Sequence, residues 1–93
     1  MILSFKCRET ARIWDGRRSR AFPADIQERA LRKLRQLDAS RSLADLRNSP
    51  GNRLEVLKGS RAGQMSIRIN AQWRICFVWQ DGDAAEVEIV DYH

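Results

Sequence analysis

The spacing of apolar residues changes along the chain, from a helical period in the first half to alternation in the second half. The clearest helix is predicted over residues 23–38, where Pro23 suits the first turn because its missing N–H would have no helical partner there. One face of this helix is apolar at intervals of three and four residues: Ile26, Ala30, Leu34 and Leu37. Before it, residues 2–7 predict a short first strand, and residues 9–15 predict one or two helical turns.

After the helix, the segment SLADLRNSPGN predicts a short helical turn, and four further runs predict strands. The runs are RLEVL (53–57), QMSIRI (64–69), WRICFVW (73–79) and AEVEIVDY (85–92). Their connections are too short for parallel crossovers, so we expect an antiparallel meander with Asp81-Gly82 as a hairpin turn. The predicted fold is α+β, with an N-terminal strand and a helical hairpin packed on a curled, mainly antiparallel sheet of four to five strands. Residues 1–93 are expected to form a single domain.

Basic residues are concentrated before the last fifth of the chain. There are 17 Lys and Arg residues against 12 Asp and Glu, and every basic residue lies at or before Arg74. Arginine outnumbers lysine by 14 to 3. The guanidinium fork matches the oxygens of a phosphate, so this excess favours a polyanionic partner, nucleic acid before membrane. The alternative is a solvated surface that only keeps the protein soluble.

Other features of the composition exclude several classes of protein. The apolar stretches are far shorter than a membrane span, and MILSFKCRETAR lacks the apolar core of a signal peptide, so a cytoplasmic location is expected. In that compartment Cys7 and Cys76 are expected to be small core residues rather than a disulfide. With two cysteines and one histidine, no structural zinc site is expected.

Arg74 is the first candidate for a functional role, because it lies inside an otherwise apolar strand. Alternation puts its side chain on the face opposite to Ile75 and Phe77. Its charge must therefore reach a cleft or a partner. The structural alternative is an arginine that extends to a carboxylate at the sheet edge.

The last three residues, Asp91, Tyr92 and His93, are expected to lie near Arg74. Counting back equally from the hairpin turn places them opposite residues 70–73. A terminus usually frays, so a disordered end is the alternative. Pairing with the strand of Arg74 would instead make these residues part of a site.

Glu55 and Lys58, at the end of the first meander strand, are expected to join the same concave surface. RNA cleavage without a metal needs a base for the 2′-OH, cations for the developing phosphate charge, and an acid for the 5′-oxygen. His93 suits either proton role near neutral pH, and Lys58 and Arg74 suit the charge. Tyr92 can stack on a base or donate a proton to phosphate. Neither a Gly-rich phosphate loop nor an acidic metal pair is present in the sequence, so no cofactor or metal is expected.

Three segments give the chain a resemblance to RelE-type toxins of bacterial toxin–antitoxin systems, in particular the HigB-like branch. They are MILSFKC at the start, PGNRLEVLKGSRAGQMSIRINAQWRICFVW in the middle and VEIVDYH at the end. The resemblance implies a RelE-like fold and a cytoplasmic, ribosome-dependent, metal-independent mRNA endoribonuclease that inhibits translation. Its implied partners are a cognate helix-turn-helix (HigA-like) antitoxin, the 70S ribosome with its rRNA, and mRNA, without a membrane.

The resemblance also implies roles for individual residues. Arg74 corresponds to a phosphate-stabilising arginine, Lys58 to a basic position after the first meander strand, and Asp91, Tyr92 and His93 to terminal functional residues. The basic helix face and the loop before it are expected to contact ribosomal RNA phosphates in a salt-dependent manner: Arg17, Arg18, Arg20, Arg29, Arg32 and Lys33. Arg68, on a strand, is also expected to bind RNA.

The chain departs from this resemblance at Glu55, where some HigB-like toxins have a histidine. An ionised carboxylate can accept a proton or hold a cation, but it cannot donate a hydrogen bond. Either His93 and Asp91 then transfer the protons, or the protein cleaves weakly. The structural alternative is that Glu55 is an ordinary exposed strand residue. Two other functions remain open: a ParE-like inhibitor that binds DNA gyrase without cutting RNA, and an RNA-binding domain without chemistry.

Overall fold

The computed structural model describes residues 1–92, in which three helices precede a four-stranded sheet. The helices are α1 (Arg8–Trp14), α2 (Ala24–Ala39) and α3 (Leu43–Asn48). The strands are β1 (Glu55–Val56), β2 (Met65–Arg68), β3 (Trp73–Gln80) and β4 (Asp83–Asp91), and a 3-10 helix (Gly59–Arg61) lies between β1 and β2. The expected α+β class is confirmed. The predictions for His93 fall outside the described residues.

Helix α2 has the apolar face that the sequence predicts. Its four stripe residues are at most 3% exposed: Ile26, Ala30, Leu34 and Leu37. The helix begins at Ala24, because Pro23 has an extended ψ of 139° and occupies the position before the first turn. It ends at Ala39, and the hydroxyl of the next residue, Ser40, donates to the Gln36 carbonyl at 2.7 Å. Helix α3 begins with a capping box, in which Ser42 and Asp45 satisfy each other's backbone N–H groups.

The sheet is an antiparallel meander in the order β1-β2-β3-β4, as predicted. At the β3–β4 turn, Asp81 and Gly82 have φ values of 49° and 86°. A two-residue hairpin turn whose twist matches the strands requires positive φ at both positions, so the Asp-Gly pair fits the turn. The register places Arg74 opposite Val90 and Trp73 opposite Asp91.

The N-terminal segment is less regular than the predicted strand over residues 2–7. It makes isolated parallel bridges from Ile2 to Ala84 and from Phe5 to Val87. Strand β4 carries a register shift here, and Glu86 has a left-handed φ of 50°. A bulge of this kind interrupts the ladder, which explains why the segment pairs at separate points rather than as a continuous fifth strand.

Helices and sheet share one hydrophobic core, and the opposite face of the sheet is polar. The helices pack on the face that carries Ile67, Ile75 and Phe77, each fully buried. The other face carries Ser66 and Arg74, also at most 6% exposed. A loop over residues 57–64 folds back toward this polar face, where Arg61 donates to Glu88 of β4. None of the helices in residues 1–92 is long and apolar enough to cross a lipid bilayer.

Candidate active site

Arg74 is fixed in the polar face of the sheet by several acceptors. It is 6% exposed, and a charge so far from water needs partners. Its Nε donates to Ser66 Oγ at 2.7 Å, and one Nη2 donates to the backbone carbonyls of Ser66, at 3.3 Å, and of Arg53. Arg53 holds its carbonyl in place with a left-handed φ of 45°, which is costly for a residue with a side chain. The guanidinium orientation is therefore set before any ligand binds.

Glu55 lies on the edge strand beside this guanidinium. Its Oε1 is 3.9 Å from Arg74 Nη1, and its side chain is 48% exposed. The pair is long and half-solvated, so a phosphate could compete with Glu55 for Nη1 at modest cost. This arrangement fits the expectation that Arg74 extends to a carboxylate at the sheet edge.

Tyr92 covers the other side of Arg74. The guanidinium carbon lies 5.6 Å from the centre of the Tyr92 ring, within the range of a cation–π contact. The backbone N–H of Tyr92 donates to the Gln72 carbonyl at 2.6 Å, which extends the β3–β4 pairing beyond the last strand residue. The expected proximity of the chain's end to Arg74 is thus present at Tyr92, which is 38% exposed and accessible to a ligand.

Asp91 belongs to a different face. It is opposite Trp73 in the ladder, one position out of phase with Arg74. Alternation therefore directs the Asp91 side chain away from the guanidinium, and its Oδ2 accepts from Gln72 Nε2 at 3.1 Å. The structure brings Glu55 and Tyr92 to Arg74, and it does not bring the Asp91 carboxylate there.

Lys58 lies between β1 and the 3-10 helix. Its backbone is extended, its side chain is exposed, and its carbonyl accepts from the Arg61 N–H at 3.3 Å. The Lys58 side chain makes no hydrogen bond or ion pair within residues 1–92. The Lys58 ammonium, which is carried by the 57–64 loop, is therefore available to a ligand.

A separate cluster of charged residues on this face, centred on Glu88, was not predicted from the sequence. Glu88 is 13% exposed, and it lies 3.0 Å from Arg61 Nη1 and 3.9 Å from Lys6 Nζ. The ladder aligns Glu55, Ser66, Cys76 and Glu88 across the four strands, one residue from each. Alternation alone could have placed Glu88 on a face of β4, but its contact with Arg61 depends on how the loop folds back.

Cys76 lies between Ser66, which holds Arg74, and Glu88, and its thiol is free and fully buried. Burial raises the pKa of the Cys76 thiol, and the Glu88 carboxylate acts in the same direction. The nearby cations Arg61 and Arg74 oppose that rise. The thiol is consequently protonated near neutral pH, which makes it a poor nucleophile.

The basic residues predicted to contact RNA lie along different depressions of the surface. Arg29, Arg32, Lys33 and Arg68 line one groove beside α2. The loop residues Arg17, Arg18 and Arg20 lie along two smaller depressions near the start of α2. Arg18 also fixes the loop, because its carbonyl accepts from Arg12 Nη2 at 3.2 Å.

The arrangement around Arg74 is suited to a phosphodiester. A guanidinium with fixed direction can stabilise phosphate oxygens, the neighbouring carboxylate can accept a proton, and the aromatic ring can stack on a base. Within residues 1–92, the His, Cys, Asp and Glu side chains form no group of three that could hold a metal ion.

Comparison with known proteins places the chain among toxins with this fold. Residues 3–93 match the model of a family described as "RelE-like toxin of type II toxin-antitoxin system HigB". The chain is 44% identical to Toxin HigB-1 of Vibrio cholerae over 85 residues, covering 90% of each protein. It is 33% identical to Endoribonuclease HigB of Proteus vulgaris over 93 residues, covering 100% of both.

Solved structures show the same fold at lower identity. A YoeB–YefM toxin–antitoxin complex from Staphylococcus aureus contains a chain with a TM-score of 0.61 at 18% identity, covering 100% of this chain and 95% of that one. A YoeB/ParE toxin from Agrobacterium tumefaciens gives a TM-score of 0.54 at 18% identity, covering 99% and 96%. With the family match over almost the whole sequence, the chain belongs to the RelE-like HigB toxins of type II toxin–antitoxin systems.

Proposed function

We propose that this chain is an endoribonuclease toxin that cleaves mRNA on the ribosome without a metal ion and so inhibits translation in the cytoplasm. The observation that carries the proposal is the Arg74 guanidinium, held by Ser66 and Arg53 between Glu55 and the Tyr92 ring. A relative 33% identical over the whole chain is named an endoribonuclease, which supports the reaction type.

The proposed reaction is an internal transesterification of the RNA strand. The 2′-oxygen attacks the adjacent phosphorus, its proton passes to a base, and the bond from phosphorus to the 5′-oxygen breaks as that oxygen receives a proton. The products are a 2′,3′-cyclic phosphate and a 5′-hydroxyl. Arg74 would stabilise the charge of the pentacovalent phosphorus, and Lys58 would add to it from the 57–64 loop.

Glu55 and His93 are the proposed proton carriers. The Glu55 carboxylate stands beside Arg74 and is half exposed, so it can accept the 2′-proton when a phosphate takes its place at Nη1. His93 is proposed as the acid for the 5′-oxygen, since an imidazolium exists in useful amounts near neutral pH. Tyr92 would stack on a base next to the scissile bond. Asp91 would hold the Gln72 side chain rather than contact the phosphate.

Two partners complete the proposal. Surface arginines of the loop before α2, Arg17, Arg18 and Arg20, would contact ribosomal RNA phosphates, in a manner that weakens with salt. A cognate helix-turn-helix antitoxin would neutralise the toxin; the family assignment and the toxin–antitoxin complexes of similar fold support a protein antagonist.

Primer extension on a defined mRNA, with and without purified ribosomes, tests the proposal. We expect wild-type protein to cut the mRNA only with ribosomes present. Arg74→Lys should lower the cleavage rate about 100-fold, because an ammonium keeps the charge and loses the fork fixed by Ser66. His93→Gln should also lower the rate, and Arg47→Lys, an exposed control on α3, should cut like wild type.

Circular dichroism must show that each variant is folded before its rate is interpreted. Ribosome-dependent cuts that persist in Arg74→Lys at the wild-type rate would refute the role given to Arg74. Absence of cuts by the wild-type protein under all conditions would refute the nuclease and favour inhibition by binding, for example of DNA gyrase.

A further inference from the structure

A basic groove runs between α2 and the end of β2. It encloses about 640 Å³, and its lining includes the cations Arg29, Arg32, Lys33 and Arg68 and the amides of Gln36 and Asn70. This volume lies in the range of sites that hold small ligands, about 300–1,000 Å³. The lining contains no carboxylate. The groove is therefore a concave surface with one sign of charge.

The cations of the groove lack acidic partners in the described part of the chain, where none of the four lies within 4.0 Å of a carboxylate. Arg29 Nη1 donates to the carbonyl of Ile69 at 3.3 Å, and Lys33 Nζ donates to Asn52 Oδ1 at 2.5 Å, both neutral acceptors. Burial lowers the pKa of Lys33, and repulsion from Arg29 and Arg32 lowers it further. Crowding of like charges costs stability in the free protein, and a bound anion would relieve it.

The groove is linked directly to Arg74. Arg68 is the cross-strand partner of Arg74. Buried Asn52, which holds Lys33 through its side chain, accepts the Arg68 N–H at its carbonyl at 2.7 Å. The next residue, Arg53, accepts from Arg74 Nη2. The same two-residue segment thus sets the position of a groove cation and of the guanidinium proposed to bind the scissile phosphate.

We propose that this groove binds backbone phosphates of the substrate RNA strand beside the phosphate held by Arg74. The inference rests on the proposed endoribonuclease function, because it takes Arg74 as the cleavage position. A strand bound at Arg74 has phosphates on both sides, and Arg68 is the cation that leads from that position into the groove. The amides of Gln36 and Asn70 can donate to phosphate or base oxygens.

The lining favours RNA over an acidic protein segment. Its apolar residue, Ile69, is only 3% exposed and offers no pocket for an apolar side chain. Protein interfaces depend on an apolar centre with well-packed anchors, whereas binding to a nucleic-acid backbone depends on charge. The groove has the positive charge that a phosphate backbone needs, and it lacks an apolar anchor pocket for a protein side chain.

The test uses 2′-O-methyl RNA, which cannot be cleaved because the attacking hydroxyl is blocked. Fluorescence anisotropy at several salt concentrations compares a short RNA covering only the cleavage site with a longer RNA extended on both sides. We expect the double variant Arg29→Gln/Lys33→Gln to lose about tenfold in affinity for the long RNA and little for the short one. Its slope of log affinity against log salt should fall by about 1.4, since each phosphate contact contributes about 0.7.

The matched control is Arg35→Gln, which removes an exposed charge from the same helix outside the groove lining. The proposal is overturned if the groove variant binds the long RNA with wild-type affinity and slope, or if both RNAs weaken equally. A groove variant that binds free RNA normally but no longer co-sediments with ribosomes lacking mRNA would assign the groove to ribosomal RNA and overturn the substrate-strand proposal. A poly-glutamate peptide that displaces the long RNA at equal charge concentration would also overturn it.

Binding and cleavage are separate readouts here. If wild-type protein binds the long RNA through the groove yet cuts nothing on the ribosome, the proposed nuclease fails and phosphate binding by the groove stands. If cleavage occurs and groove variants keep wild-type RNA affinity, the nuclease stands and the groove proposal fails.

Discussion

Replacement of Ser66 by alanine should separate the fixation of Arg74 from its charge. Ser66 is fully buried, and its hydroxyl accepts from Arg74 Nε at 2.7 Å. Removal of the oxygen leaves an N–H of a cation without its acceptor at a site that is 6% exposed. Hydrogen bonds to charged groups contribute about 1.5–3 kcal/mol, so we expect the free energy of unfolding to fall by about 2 kcal/mol.

This loss is large enough to measure in two ways. For a domain of this size, about 1 kcal/mol corresponds to about 4–8 °C in melting temperature, so Ser66→Ala should melt about 8–16 °C below wild type. Urea unfolding followed by circular dichroism should give the same difference in free energy. Below the melting transition, the cleavage rate on ribosomes should fall while the net charge stays unchanged.

Ser60→Ala provides the control, because it deletes the same hydroxyl from an exposed position in the 3-10 helix. It should change stability by less than about 0.5 kcal/mol, as is usual for surface substitutions. Equal stabilities of the two variants would show that the Ser66 hydroxyl does not hold the guanidinium. Unchanged cleavage by Ser66→Ala would show that the orientation of Arg74 is not needed for the reaction.

Three further predictions concern groups with altered ionisation or buried charge. Burial raises the pKa of the Cys76 thiol, so a thiol reagent at neutral pH should modify Cys7 first and Cys76 only as the protein unfolds; equal rates in the folded protein would contradict this. The folded-state pKa of Lys33 lies below its ordinary 10.5, because burial and the nearby Arg29 and Arg32 disfavour its charged form. The charged Lys33 therefore destabilises the folded protein fully at pH values below the lowered pKa, and this destabilisation disappears as the pH rises toward 10.5. In urea titrations, stability of wild type relative to Lys33→Met should therefore rise through that window, and a constant difference would refute the assignment. Glu88→Gln should cost about 1–2 kcal/mol after allowance for the partly exposed Arg61 partner, and should speed hydrogen exchange in residues 59–64; unchanged exchange there would mean that the ion pair does not hold the loop.

Local pattern determined the elements of this fold. The apolar stripe of α2 and the alternation of the strands are set by the geometry of the helix and of the pleated strand, which depend on neighbouring residues only. The hairpin turn could also be predicted from neighbouring residues alone, because Asp81 and Gly82 both tolerate positive φ. The turn then fixed the register, and with it the position of Tyr92 near Arg74.

Predictions from local pattern were wrong where strand pairing is irregular, and they were incomplete where a shift of one residue decides the face of the sheet on which a side chain lies. The N-terminal strand was predicted from its own alternation, but the bulge at Glu86 in a distant strand decides how far it pairs. Asp91 was grouped with Tyr92 because counting back from the hairpin turn places both opposite residues 70–73, near Arg74. In a strand, adjacency places side chains on opposite faces, and the ladder puts Asp91 with Trp73.

The sequence by itself thus determined the main helix, the four strands of the meander and their order, and the strand from which Arg74 projects. Only the tertiary structure decided which groups hold that arginine, because its acceptors on Ser66 and Arg53 come from a neighbouring strand and a loop. The same holds for the ion pair of Arg61 with Glu88, 27 residues apart. Such contacts depend on the path of loops across the sheet, and no short-range periodicity records that path.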